Sequence, residues 1–191
     1  LTIYDYDSAK GTVSIIFQEV GKTTRQLGEL QSGDYLQDFV GPLGKPIEVN
    51  GSHKRIICVG GGVGVAPVYP KARALKNSGT EVVSIIGARS KDLIILEEEM
   101  KAVSNELYVC TDDGSYGEHG FVTQVLEKLL PTKTPDLVIA IGPLPMMRAC
   151  CQVTKKFNVP TLVSLNSIMV DGTGMCGSCR VTRTSSISRT M

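Results

Sequence analysis

Two cysteines separated by two residues, Cys176 and Cys179 in MCGSCRVT, carry the sharpest chemical spacing in the sequence. They match the last two ligands of a plant-type two-iron centre, C-x4-C-x2-C, and the first ligand position falls on Asp171. A carboxylate ligates iron as well, so the expected metal set is Asp171, Cys176 and Cys179. Gly172, Gly174 and Gly177 would let backbone amides wrap the sulfides. A redox dithiol or half of a zinc site is the alternative, although no second Cys or His pair is present to complete zinc.

A second kind of chemistry is written in glycine. GGGVGVAP, running through Gly60, Gly61, Gly62, Gly64, Ala66 and Pro67, follows the apolar run RIICV and opens a helix-like segment. That context lets backbone amides and a helix N-terminus meet a dinucleotide pyrophosphate. Its spacing departs from G-x-G-x-x-G, which leaves a tight strand-to-helix turn as the bland reading. Three further strand ends repeat the theme. GARSKD offers Arg89 to a ribose or phosphate, TDDGSYGEHG offers Asp112, Asp113 and Gly114 to hydroxyls, and IGPLPMM offers Gly142, Pro143 and Met146 beside a flat ring. Each alone is ordinary surface or turn chemistry. Together they fall on one edge of a doubly wound sheet, where such folds place their ligands.

VGKTT has the look of a triphosphate-binding loop, but the Gly required five residues before Gly21 is Ile16. A glycine turn followed by Lys22, Thr23 and Thr24 at a helix start still supplies amides and hydroxyls for an anion, here a flavin pyrophosphate, with simple helix capping by Thr as the alternative. Cys58 and Cys110 lie inside apolar strands and read as buried fillers. Cys150 and Cys151, adjacent on a helix, point to different faces. Neither His53 nor His119 has a Ser or Cys partner in a nucleophile context, so no triad is expected.

The elements that must position these residues follow from texture. The chain has 191 residues, 42% of them hydrophobic, which fits one large domain or two small ones sharing a cleft. Lys and Arg number 20 against 19 Asp and Glu, so no basic excess points to nucleic acid. No apolar run reaches the roughly 20 residues of a membrane span and no signal-peptide pattern is present, so the expected location is cytoplasmic. LTIYDYD, GTVSIIFQEV and DYLQDFVGPLG read as strands of an antiparallel unit, with TTRQLGEL as a short helix between the last two. From Lys54 to Leu165, strands that are continuous apolar runs alternate with helices, as in a parallel sheet covered on both faces. The expected class is α/β: a partial antiparallel β-barrel, residues 1–52, then a doubly wound parallel-sheet domain, residues 53–165, then a Gly-rich iron-sulfur segment, residues 166–191. A start at Leu within a strand-like run, too few strands to close a barrel, and a polar tail RTSSISRTM predict missing sequence at both ends.

In the order LT, VGKTTRQL, DFVGPLGKP, GGGVGVAP, TDDGSYGEHGFVT, IGPLPMM and MCGSCRVT, the chain resembles the electron-transfer flavoprotein subunits of the ferredoxin reductase-like superfamily, over residues 1–182. Two branches are similar: the electron-transfer subunits of type B dihydroorotate dehydrogenase, which serve pyrimidine synthesis, and the alpha subunits of NADH-dependent reduced ferredoxin:NADP oxidoreductases. Asp171 in the first cluster position is more like the second. The resemblance implies FAD in the front domain, NAD(H) or NADP(H) on the parallel sheet, a [2Fe-2S] cluster, and a larger oxidoreductase subunit carrying further redox centres as partner. Leu1 and Thr2 would be what remains of the flavin motif, whose Arg is not in this chain, and Gly21, Thr23 and Thr24 its pyrophosphate turn. The family's fourth cluster cysteine lies beyond Cys179, where this sequence has none, so a stable cluster is not expected in this chain. Hydride transfer between the two cofactors then needs no side-chain acid or base. A nucleotide-binding module that has lost electron transfer is the reading from a different class.

Overall fold

The structure is a computed structural model and describes residues 1–43 and 53–181. At the front, β1 (Ile3–Asp7) and β2 (Thr12–Ile15) form an antiparallel pair. The turn between them is held by Asp7, whose Oδ1 accepts from the N–H groups of Ala9 and Lys10. The register slips between Ile3 and Asp5, which leaves Tyr4 as an extra residue on β1, a β-bulge. Helix α1 (Lys22–Gly28) follows and buries none of its residues.

Two strand expectations are corrected here. The run expected over residues 11–20 is a strand only at β2, and residues 34–43 of DYLQDFVGPLG form none. The apolar residues of that segment, Tyr35, Leu36, Phe39 and Val40, recur in pairs rather than alternating, so no single face could be buried as a strand, and all four are exposed. The remainder of the expected front domain, residues 44–52 with the end of DFVGPLGKP, lies outside the described residues, as do residues 182–191.

The second unit follows the expected alternation. β3 (Arg55–Gly61) leads through a 3-10 turn, Gly62–Gly64, into α2 (Val65–Asn77) and on to β4 (Glu81–Ala88), α3 (Glu97–Ala102) and β5 (Glu106–Thr111). A two-residue strand that the sequence does not announce, β6 (Glu118–His119), interrupts TDDGSYGEHG. Then come α4 (Val122–Lys133), β7 (Leu137–Ile141), α5 (Leu144–Lys156) and β8 (Thr161–Val163). The six strands pair in the order β6-β5-β4-β3-β7-β8, every pair parallel.

Strand alternation splits β3 between two cores. Ile56 and Cys58 pack with Val65, Val68, Ala72 and Leu75 of α2 and Met100 of α3, while Ile57 and Val59 pack with Val125, Leu126 and Leu129 of α4 and Met147 and Cys150 of α5. Each buried Ile or Val contributes about 1.5–3 kcal/mol, and this two-sided burial explains the continuous apolar runs. The amino-terminal edge of the sheet is pinned by charge. Asp136 Oδ2 accepts from the N–H of Lys54 at 2.7 Å and of Arg55 at 3.0 Å, and Arg55 pairs with Glu81 at 2.8 Å. No helix of the described residues is long and apolar enough to cross a membrane.

Candidate functional site

The carboxyl ends of β3, β4, β5 and β7 line one edge of the sheet, and the strand order reverses between β3 and β7. From β3 the chain winds outward through β4, β5 and β6, then returns to lay β7 on the other side of β3. Doubly wound sheets hold their ligands in the crevice bordered by the loops that leave such a switch point, here those after β3 and β7.

The glycines at this crevice have separate structural reasons. At Gly64, a β-carbon would drive into the Ile141 carbonyl oxygen and stand 2.8 Å from the Gly142 Cα, so close approach of the α2 start to the end of β7 requires glycine. At Gly60, a β-carbon would lie 3.0 Å from the Val65 side chain. Met146, on the first turn of α5, lies against Gly61 and Gly142 at once; a β-carbon on either would strike its sulfur or methyl. Gly62 differs. Its φ of 55° is left-handed, and a β-carbon there would meet nothing within 4 Å, so the backbone borders open space. The 3-10 turn then delivers the chain into α2, with Ala66 and Pro67 in its first turn, where a missing N–H leaves no helix bond unmade. Pro143 is the N-cap of α5 and is exposed beside the same crevice.

Along the edge, the loops after β4 and β5 are joined to one another. The N–H of Asp112 donates to the Ala88 carbonyl at 3.0 Å and that of Asp113 to the Arg89 carbonyl at 3.1 Å. Asp113 Oδ1 accepts from the N–H and hydroxyl of Ser115, which holds its carboxyl below the usual carboxylate range. Ser115 Oγ accepts from the N–H of Lys91 at 2.9 Å, the Lys91 ammonium sits 5.3 Å from the Tyr116 ring centroid, and the Tyr116 hydroxyl donates to Glu97 at 2.9 Å. Arg89, Asp112 and Gly114 are exposed at this rim. Lys91, Ser115, Tyr116 and Glu97 were not among the expected site residues. Lys91, Ser115 and Tyr116 lie within GARSKD and TDDGSYGEHG, whereas no sequence signal pointed to Glu97.

The front unit gathers less. Leu1 and Thr2 are exposed ahead of β1. In VGKTT the helix begins at Lys22 rather than at Thr, with Gly21 as its N-cap. Thr24 Oγ1 accepts from the N–H of Val20 and Gly21 and donates to the Gly21 carbonyl, so the capping alternative describes this hydroxyl, while Lys22 and Thr23 stay exposed. At Gly21 a β-carbon would meet nothing within 4 Å, so packing does not demand glycine there.

The expected iron ligands are not brought together. Asp171 Oδ1 accepts from the N–H of Thr173 at 2.9 Å and Oδ2 from that of Cys176 at 3.0 Å, so both oxygens are spent on shaping the loop and its carboxyl titrates below the usual range. Ser178 donates its N–H to Cys176 Sγ, and the Ser178 side chain together with this N–H lowers the Cys176 thiol. Among the described residues, no group of three or more His, Cys, Asp or Glu is placed to hold a metal ion. Asp171, Cys176 and Cys179 thus do not by themselves fit a cluster in this structure. The buried thiols behave as fillers: burial pushes Cys58 up to about 12, Cys110 to about 11 and Cys150 to about 12.

Comparison with known proteins resolves the lineage. The dihydroorotate dehydrogenase B (NAD(+)) electron transfer subunit of Geobacillus kaustophilus is 39% identical over 182 residues, covering 94% of this chain and 68% of that protein. The chain belongs to this electron-transfer subunit family. An oxidoreductase NAD-binding domain model matches residues 58–152, which spans the crevice, and the iron-sulfur cluster binding domain model of dihydroorotate dehydrogenase B matches residues 166–190. The family's Thermotoga maritima electron transfer subunit homolog is 46% identical over 182 residues and covers 95% of this chain. The chain spans 64% of that relative's length. The NADH-dependent reduced ferredoxin-NADP oxidoreductase structure, solved for insight into flavin-based electron bifurcation, superposes with a TM-score of 0.87 at 44% identity, over 95% of this chain and 65% of that one.

Proposed function

We propose that the chain is the nucleotide-side part of a flavin-dependent electron-transfer subunit, moving electrons between NAD(H) and FAD and onward to a larger partner oxidoreductase subunit. One observation carries the nucleotide half: Gly62, in a left-handed conformation and bordering open space, stands at the start of α2 beside the β3–β7 crevice. Backbone amides of the Gly60–Gly64 turn would receive the pyrophosphate with the α2 dipole behind them. Gly61 and Gly142, seated on Met146, would leave a flat floor for the nicotinamide ring. Exposed Arg89 and Lys91, with Asp112 and Asp113 opposite, would take the adenosine ribose. NADH rather than NADPH is preferred because the matched relatives carry NAD(+) in their names.

A flavin held beside this crevice would supply the acceptor for a hydride, two electrons with one proton, from a nicotinamide seated on Gly61 and Gly142. The chain's residues position and shield; none of them needs to titrate. We place the flavin against the front unit, with Leu1, Thr2, Gly21, Lys22, Thr23 and Thr24 near its pyrophosphate end, and the subunit in the cytoplasm, where the six cysteines stay reduced. Asp171 at the first cluster position favours a partner of the ferredoxin-NADP oxidoreductase kind over a dihydroorotate-oxidising one. Anaerobic mixing of the intact subunit with NADH tests the reading: flavin bleaching that saturates with NADH supports it. Nucleotide binding with no flavin or no bleaching would instead leave a nucleotide module without electron transfer.

A further inference from the structure

Arg73 and Tyr69 of α2 join the front hairpin to the parallel-sheet unit. Arg73, two turns into α2, pairs with Asp5 of β1 at 2.6 Å, and the guanidinium also lies 5.7 Å from the Tyr6 ring centroid and 5.2 Å from that of Tyr69. Tyr69 sits four residues before Arg73 on the same helix face and packs on Tyr4, ring centroids 5.1 Å apart. A regular strand would send Asp5 to the face opposite Tyr4 and Tyr6. The bulge at Tyr4 breaks that alternation, and Tyr4, Asp5 and Tyr6 all reach the Tyr69–Arg73 pair. Bulges that re-aim side chains are specific features of a fold, and a planar guanidinium is suited to pair with a carboxylate while stacking on two rings.

The placement matters because of what lies at each end. Leu1 and Thr2 directly precede β1, and Arg73 lies nine residues past Gly64, about 13 Å down the helix that opens from the nucleotide turn. We propose that Arg73 is a positioning residue: by clamping β1 to α2 it fixes the flavin-side hairpin relative to the nucleotide crevice, and so sets the separation across which hydride passes. The kinetic half of this inference rests on the function proposed above; the clamp itself does not.

Hydrogen exchange followed by mass spectrometry reads the clamp in the 191-residue chain without any cofactor. Arg73→Ala is expected to speed exchange in β1 by roughly tenfold while β3, β4 and β7 keep wild-type protection, with Arg73→Lys intermediate because charge survives and stacking does not. In the intact subunit the same variant should slow NADH-driven flavin reduction about tenfold or more while the Kd for NADH stays within about twofold, since misplacement by an ångström costs rate rather than ground-state affinity. Unchanged exchange in β1, or slowing fully matched by weaker NADH binding, overturns the proposal. Where Arg73→Ala loosens every element, Asp5→Asn, altered only at the hairpin, decides by the same two readouts. A wild-type subunit that shows no flavin reduction by NADH refutes the proposed function, and the exchange comparison then still decides the clamp.

Discussion

The start of helix α2 touches the end of strand β7 at Gly64, where the Ile141 carbonyl oxygen occupies the place a β-carbon would need. That contact fixes the geometry of the whole crevice, because it ties the turn after β3 to the strand on the far side of the switch point.

Gly64→Ala is therefore expected to cost stability first. Forcing a methyl group against backbone that cannot swing aside costs typically about 1–3 kcal/mol. Urea denaturation followed by circular dichroism should show a lower midpoint with an unchanged slope, and NADH affinity should fall with it.

Gly62 gives the opposite pattern. Gly62→Val has room for its β-carbon but holds an L-residue at positive φ, a strain of about 1–2 kcal/mol, and fills space that the pyrophosphate needs. The folded state should survive, while NADH binding weakens by well over tenfold in a fluorescence titration. A variant that binds normally would remove Gly62 from the site.

Both glycines stand in the same sequence run, GGGVGVAP, and nothing in that run distinguishes them. The alternation of apolar strands and helices from Arg55 to Val163 was legible because each strand is buried on both faces and each helix has one apolar side. What was not legible depended on partners distant in sequence. Tyr35, Leu36, Phe39 and Val40 looked like strand residues but find no sheet among the described residues, and β6 exists because Glu118 and His119 pair with Cys110 and Thr111 of β5. Asp171 was legible as a donor at a ligand spacing. That its oxygens turn to the N–H groups of Thr173 and Cys176 is decided by the loop's backbone, which spacing does not reveal.

Thiol chemistry should separate the cysteines by site. Cys176 is exposed and its thiolate is favoured by the Ser178 side chain and N–H, so alkylation by iodoacetamide should persist below the pH at which an ordinary thiol stops reacting. Cys58 and Cys150, pushed up to about 12, should stay unmodified in the folded chain at pH 8. Peptide mapping after timed alkylation reads both; equal labelling of Cys58 and Cys176 would contradict the burial described.

Acid should weaken the amino-terminal edge of the sheet. The N–H groups of Arg55 and Lys54 hold the Asp136 carboxyl below its ordinary value. A depressed carboxylate contributes stability above its unfolded pKa of about 4 and loses it as pH falls through the lower folded value. Wild type should thus exceed Asp136→Ala in denaturant midpoint at pH 7, and the two should converge as the pH drops below about 4.

The central claim is that the carboxyl edge of the parallel sheet, at the β3–β7 crevice, binds NAD(H). Isothermal titration of NADH into the chain tests it most directly, with Gly62→Val as the control. The account predicts one saturable site per chain in the wild type, with a Kd in the micromolar range, and its loss in the variant. No saturable binding up to about 1 mM, or equal binding by the two proteins, would contradict it.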